Sequence, residues 1–93
     1  MKTVSKNAVD ELCRVVRKFW ETGDADILSK KHEILYLLAE ECYGNRNKWS
    51  VFDELVNVTF SPYGFKANAT NEFYYDLLKM FDIEVIEVKE LKA

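Results

Sequence analysis

Residues 26–43 read DILSKKHEILYLLAEECY, and the middle of that stretch, Ile34-Leu35-Tyr36-Leu37-Leu38-Ala39, is the most continuously apolar run in the chain. On a helical wheel Ile27, Leu28, Ile34, Leu35, Leu38, Ala39 and Cys42 share one broad face, with Tyr36 and Tyr43 at its edge. Ser29, Lys30, Glu33, Glu40 and Glu41 lie opposite. The rest of the chain is expected to pack around this helix. Leu37 breaks the pattern, because it falls amid the polar residues: either the helix is covered on two sides, or Leu37 offers an apolar contact to a partner.

Outward from this helix, punctuation is sparse. Three glycines (Gly23, Gly44, Gly64) and one proline (Pro62) divide the chain into four pieces. Gly23 and Gly44 bracket the central helix, with Asp24 or Asp26 as its N-cap. Upstream, a helix is predicted from about Asn7 to Glu21, capped by Ser5 or Asn7. Ala8, Val9, Leu12, Cys13, Val15, Val16, Phe19 and Trp20 occupy one half of its wheel, and Lys6, Asp10, Glu11, Arg14, Arg17, Lys18 and Glu21 the other. Asp10 with Arg14, and Arg17 with Glu21, are spaced for side-chain pairing worth ~0.2–0.5 kcal/mol each, so the charged face needs no ligand to explain it.

Downstream, Asn45-Arg46-Asn47-Lys48-Trp49 reads as a connector, and Ser50 with Asp53 resembles a capping box opening a short helix to about Leu55. The period then changes. Val56, Val58 and Phe60 alternate with Asn57 and Thr59, Ser61-Pro62-Tyr63-Gly64 suits a turn, and Phe65, Ala67 and Ala69 alternate in return, which predicts a hairpin over residues 56–69. Thr70 caps a last helix, Asn71 to Phe81, with Phe73, Tyr74, Leu77, Leu78 and Phe81 inward and Tyr75 on the wet side. Ile83 to Val88 is β-branched and reads as a strand beside the hairpin. The expected architecture is one α+β domain over residues 1–93, three to four helices packed on a small antiparallel sheet. An all-α bundle is the alternative if residues 51–69 are helix and loop.

Composition bounds the function. The chain has 93 residues, of which 48% are hydrophobic, 31% charged and 14% aromatic, a globular composition at a size where folding buries ~60–65% of the unfolded surface. The formal net charge is -3, with nine Lys/Arg against eight Asp/Glu in residues 1–50 and four against eight in residues 51–93. Neither half concentrates positive charge as a nucleic-acid arm does. Charges at Lys2, Lys6, Asp10, Glu11, Arg14, Arg17 and Lys18 exclude a signal core or membrane span from the first twenty residues, so a cytoplasmic location is expected. Cys13 and Cys42 both fall on apolar helix faces and read as free core thiols.

Chemical motifs are missing. His32-Glu33 begins an HExxH pattern, but Tyr36 stands where the second metal ligand is required, and His32 is the only histidine. There is no cysteine knuckle and no glycine-rich phosphate loop, and a Cys–His nucleophile pair would need an exposed thiol. No catalytic, metal-binding or cofactor-binding residue is assigned, and the chain reads as a non-enzyme. A helix-turn-helix reading fails on sign, because the central helix would present Glu33, Glu40 and Glu41 to phosphate.

What remains is recognition. Candidate partner-contact residues are Leu37, Tyr75, Tyr63 at the turn tip, and Arg46, Lys48 and Trp49, where cation and aromatic stand together. A protein partner ranks first, homodimerisation being its simplest form. A DNA-associated accessory role through Arg46 to Trp49 with Arg14, Arg17 and Lys18 ranks second, and a small-ligand or nucleotide-binding domain third. Glu72-Phe73-Tyr74, followed after a helix and strand by Lys89-Glu90-Leu91, resembles the end of small acidic phage proteins that inhibit Cas9, the anti-CRISPR group. The resemblance implies a phage inhibitor working in a bacterial host cytoplasm, occupying a surface of a defence protein without chemistry of its own.

Overall fold

The computed structural model describes residues 2–60 and 69–87. Strand β1 (Lys2–Ser5) runs directly into helix α1 (Lys6–Thr22), followed by α2 (Ala25–Tyr43), a single 3-10 turn at Arg46–Lys48, α3 (Trp49–Phe60), α4 (Asn71–Met80) and strand β2 (Ile83–Ile86).

The helix ends follow local chemistry. Gly23 and Gly44 adopt left-handed backbone at φ 68° and 66°, and their amides close α1 and α2 onto Phe19 O at 2.7 Å and Glu40 O at 2.9 Å. Asp24 caps α2 by accepting from the Asp26 amide at 2.9 Å, and Thr70 caps α4 by accepting from the Phe73 amide at 3.1 Å. Ser5 precedes α1 without capping it by its side chain. Instead its amide and hydroxyl donate to Glu41 Oε1 on α2, at 3.1 and 3.4 Å, which ties the end of β1 to the central helix.

Two expectations are corrected. Residues 56–60 are helical, not the first arm of a hairpin: α3 runs unbroken from Trp49 to Phe60. The alternation of Val56, Val58 and Phe60 also fits a helical period, since Phe52, Val56, Thr59 and Phe60 recur at i, i+4, i+7 and i+8 and are the buried residues of α3. Val58 points outward and is exposed. Burial of that stripe against α1, α2 and α4 outweighs the few tenths of a kcal/mol by which Val and Thr disfavour helix. Ser50 and Asp53 do not form the expected cap, because the helix already begins at Trp49. The return arm at residues 65–68, the Pro62 turn and the chain from Val88 lie outside the described residues.

The sheet is the second correction. It is parallel rather than antiparallel, and it joins β2 to the first residues of the chain: Lys2 pairs with Ile83, Thr3 with Glu84, Val4 with Val85 and Ser5 with Ile86. The whole helical array is therefore the crossover that parallel strands require. Asp82, at φ 63°, turns the chain from α4 into β2, and the Lys2 amide donates to Asp82 O at 3.2 Å. Two strands alone are marginal, so burial holds the pair: Val4 and Ile83 are buried in the core with Val9, Leu12, Leu35, Leu38, Phe52, Val56, Tyr74 and Leu78.

α4 runs antiparallel to α1, fixed by a polar seam around Asp10. The Asn71 amide donates to Asp10 Oδ1 at 3.1 Å, the Tyr75 hydroxyl donates to the same oxygen, and Lys6 Nζ lies 2.8 Å from Oδ2. Arg17 donates to Asn71 Oδ1 at 2.8 Å. The surface pairs on α1 are thus Lys6 with Asp10 and Arg14 with Glu11, not the expected Asp10 with Arg14 and Arg17 with Glu21. Partial burial pushes the Asp10 carboxyl up, but the bonds from Lys6, Tyr75 and Asn71 outweigh it and hold the carboxyl below its ordinary value of 3.8.

α2 and α3 are joined by a nearly buried ion pair. Lys31 Nζ lies 3.1 Å from Asp53 Oδ1, at an angle outside hydrogen-bonding geometry, and both side chains are largely covered. The contact is chiefly coulombic.

Two stability measurements follow from this packing. Asp53→Ala strands the Lys31 ammonium and should cost about 2–4 kcal/mol in urea unfolding, whereas Lys31→Met with Asp53→Leu should stay within about 1 kcal/mol of the parent. Asp10→Ala should cost about 2 kcal/mol at neutral pH by opening the α1–α4 seam. Because the folded state depresses the Asp10 carboxyl, its contribution is complete above the unfolded value and fades as pH falls through the lower folded one. The gap between parent and Asp10→Ala should accordingly narrow in acid.

Candidate functional site

At the corner where α2 gives way to α3, four side chains from three elements converge. His32 and Tyr36 stand one turn apart on α2, Arg46 comes from the 3-10 turn, and Trp49 opens α3. The Trp49 ring meets His32 edge to face at 5.3 Å between centroids and Tyr36 edge to face at 6.3 Å. The Arg46 guanidinium carbon lies 4.4 Å from the Tyr36 ring centroid, within stacking range for a cation on an aromatic face.

Local sequence builds this corner. Gly44 ends α2, and the Asn45 side chain accepts from the Asn47 amide at 2.9 Å, folding the connector into one tight turn. The Lys48 amide closes that turn on Asn45 O at 3.1 Å, which brings Arg46 back over Tyr36 and delivers Trp49 to α2. His32 is held by its own helix, with Nδ1 at 2.9 Å from Leu28 O. Trp49, Tyr36 and His32 are half-buried, and Arg46 and Lys48 are exposed.

Leu37 points straight out from α2 and is 55% exposed, whereas Tyr36 leans toward α3. Glu33, Glu40 and Glu41 surround it on the same outer face, all exposed. The corner is therefore an apolar and aromatic ridge with carboxylates along α2 and two cations, Arg46 and Lys48, at its end.

The candidate contacts do not all converge. Arg46 and Trp49 join Tyr36 and His32, Lys48 extends from the same turn, and Leu37 lies beside them on α2. Tyr75 is elsewhere: it is half-buried on α4, packed against the core, with its hydroxyl committed to Asp10 and Lys6 Nζ 5.9 Å from its ring centroid. Tyr63 falls outside the described residues. Tyr36 and His32 are the members that sequence reasoning passed over, and their i, i+4 spacing opposite an Arg-x-x-Trp connector was the available signal.

The thiols and histidine do not form a reactive pair. Cys13 is fully buried, and burial pushes its thiol up to about 12. Cys42 is half-buried, its thiol also raised by burial, and it stands ten residues from His32 on one helix, about 15 Å along the axis. Among the described residues no group of three or more His, Cys, Asp or Glu side chains is placed to hold a metal ion, and no helix is long and apolar enough to cross a membrane. Comparison with protein-family models, curated proteins and solved structures found no match to this chain.

The thiol environments can be measured directly. In native protein Cys13 should resist a disulfide-exchange reagent until urea unfolds the core, and Cys42 should react first, though more slowly than a free thiol.

Proposed function

We propose that this protein is a small non-enzymatic binding module that acts stoichiometrically on another protein, and that the α2–α3 corner is its contact surface. The observation that carries the reading is the Arg46–Tyr36–Trp49 stack with Leu37 exposed beside it. Trp, Tyr and Arg are the residues that most often dominate interface energetics, because each combines a large rigid apolar surface with a polar tip. Here they are ordered before any partner arrives, so little side-chain freedom remains to be lost on binding.

The charge pattern favours protein over nucleic acid. Arg46 is engaged on Tyr36, and the carboxylates of Glu33, Glu40 and Glu41 flank Leu37, the wrong sign for a phosphate backbone. A partner surface with an apolar depression and a basic margin complements the ridge. An inhibitor from a phage or mobile element, occupying a surface of a bacterial defence protein, is the role within this class that the chain's terminal resemblance and small size support.

Tagged protein incubated with nuclease-treated bacterial lysate tests the reading. The parent should retain a defined protein in stoichiometric amount, with affinity that falls only shallowly with salt. Leu37→Asp and Arg46→Glu should each lose that partner by tenfold or more, about 1.4 kcal/mol, while keeping the parent's unfolding midpoint within experimental error. Retention of nucleic acid with a steep salt dependence, or unchanged capture by both variants, would sink the proposal.

A further inference from the structure

The sheet has an edge that the helices leave open. In a parallel ladder backbone groups alternate between the two sides of a strand, and the Lys2 amide donates to Asp82 O with Lys2 in register with Ile83. The amide and carbonyl of Glu84 therefore turn toward β1. Those of Val85, with the Ile83 carbonyl and the Glu87 amide, turn away from it. Among the described residues no hydrogen bond reaches that outer side.

A cleft of about 390 Å³ lies between β2 and α4, with Lys6 of α1 also in its lining. Ile83, Val85 and Tyr75 supply its apolar lining, and Asp76, Lys79 and Glu87 its polar margin. An open strand edge beside a helix is the geometry that accepts an extended peptide as an added strand: main-chain bonds supply affinity, and alternate side chains enter the groove. The margin is acidic. Asp76, Glu84 and Glu87 face Lys79, while the ammonium of Lys6, the other lining cation, is already held by Asp10 at 2.8 Å.

We infer that the β2–α4 groove binds an extended basic segment of a partner protein as a third strand of the sheet. Charge selects that occupant over a second copy of this chain. Two β2 edges paired about Val85 would gather Glu84 and Glu87 from both copies into one small ribbon, whereas alternating apolar and basic side chains satisfy the lining and the margin together. The groove shares no residue with the α2–α3 corner and stands independently of it.

The probe is a blocked hexapeptide of alternating lysine and valine, titrated into the full 93-residue chain and followed by amide NMR, with the glutamate–valine peptide as comparison. Binding of the lysine peptide should shift the amides of Ile83 to Glu87 and slow exchange at Val85 and Glu87, while Glu84, already paired with β1, changes little. Glu84→Lys with Glu87→Lys should weaken binding on the order of tenfold, and Val85→Pro, which removes an outward amide along with the Val85 side chain, should abolish it. The charge variant keeps the test decisive if the proline variant fails to fold. Equal binding of the two peptides, or shifts confined to other elements, would overturn the assignment. So would a Val85 amide already protected in the free protein, with sedimentation then distinguishing cover by the chain itself from pairing of two copies.

Discussion

The two strands at opposite ends of the described chain lie side by side and parallel, and that closure constrains everything between them. A parallel pair cannot be joined by a tight turn, so the four helices must carry the chain out from Ser5 and return it to Ile83 in register. Val4 and Ile83 are both buried, so the junction is made inside the core rather than at its margin. Glu41 on the central helix accepts from Ser5 where β1 passes into α1, and Asp82 turns α4 into β2. The small sheet depends on the helices for burial, and the helices depend on it to hold Lys2–Ser5 beside Ile83–Ile86.

Polar contacts then choose one arrangement among the helical packings that hydrophobic burial alone would permit. The seam of Asp10, Asn71, Tyr75 and Arg17 fixes α4 against α1, and the Lys31–Asp53 pair fixes α3 against α2. Tyr74 adds a third tie, its buried hydroxyl donating to Phe52 O at 3.1 Å, with burial raising the phenol well above its ordinary value. Each of these contacts joins different elements, and loss of those at Asp10, Asp53 or Tyr74 would leave a covered polar group without its partner in a shifted packing.

The same packing leaves two surfaces accessible among the described residues. Tyr36 and Trp49 are half-buried against one another and Arg46 is exposed over the Tyr36 ring, so the α2–α3 corner is packed and still accessible. Among the described residues the sheet stops at two strands, which leaves the outer edge of β2 uncovered with α4 beside it. One surface offers ordered side chains, the other unpaired backbone.

The sequence by itself determined where α1 stops, where α2 begins and stops, and where α4 begins. Gly23 and Gly44 reach a left-handed backbone that other residues resist, and Asp24 and Thr70 place an acceptor where the first turn of a helix has spare amides; these are contacts within a few residues, legible without a fold. It also set out the buried stripe of α1 from Val9 to Val16, though not the exposure of Trp20, and most of the buried face of α2, because segregation on a wheel is a local property. Only the tertiary structure decided that Val56 to Phe60 is helix, since five alternating residues fit either period until Phe52 and Val56 find a core to enter. Only it paired β2 with Lys2–Ser5, buried Lys31 against Asp53, and turned Tyr75 from the expected wet face onto Asp10. In the corner, Arg46 and Trp49 were legible as a cation beside an aromatic, but their convergence on Tyr36 was not. Each of those outcomes depends on which distant residue supplies the missing charge, backbone partner or apolar surface, and helical periodicity carries no record of that choice.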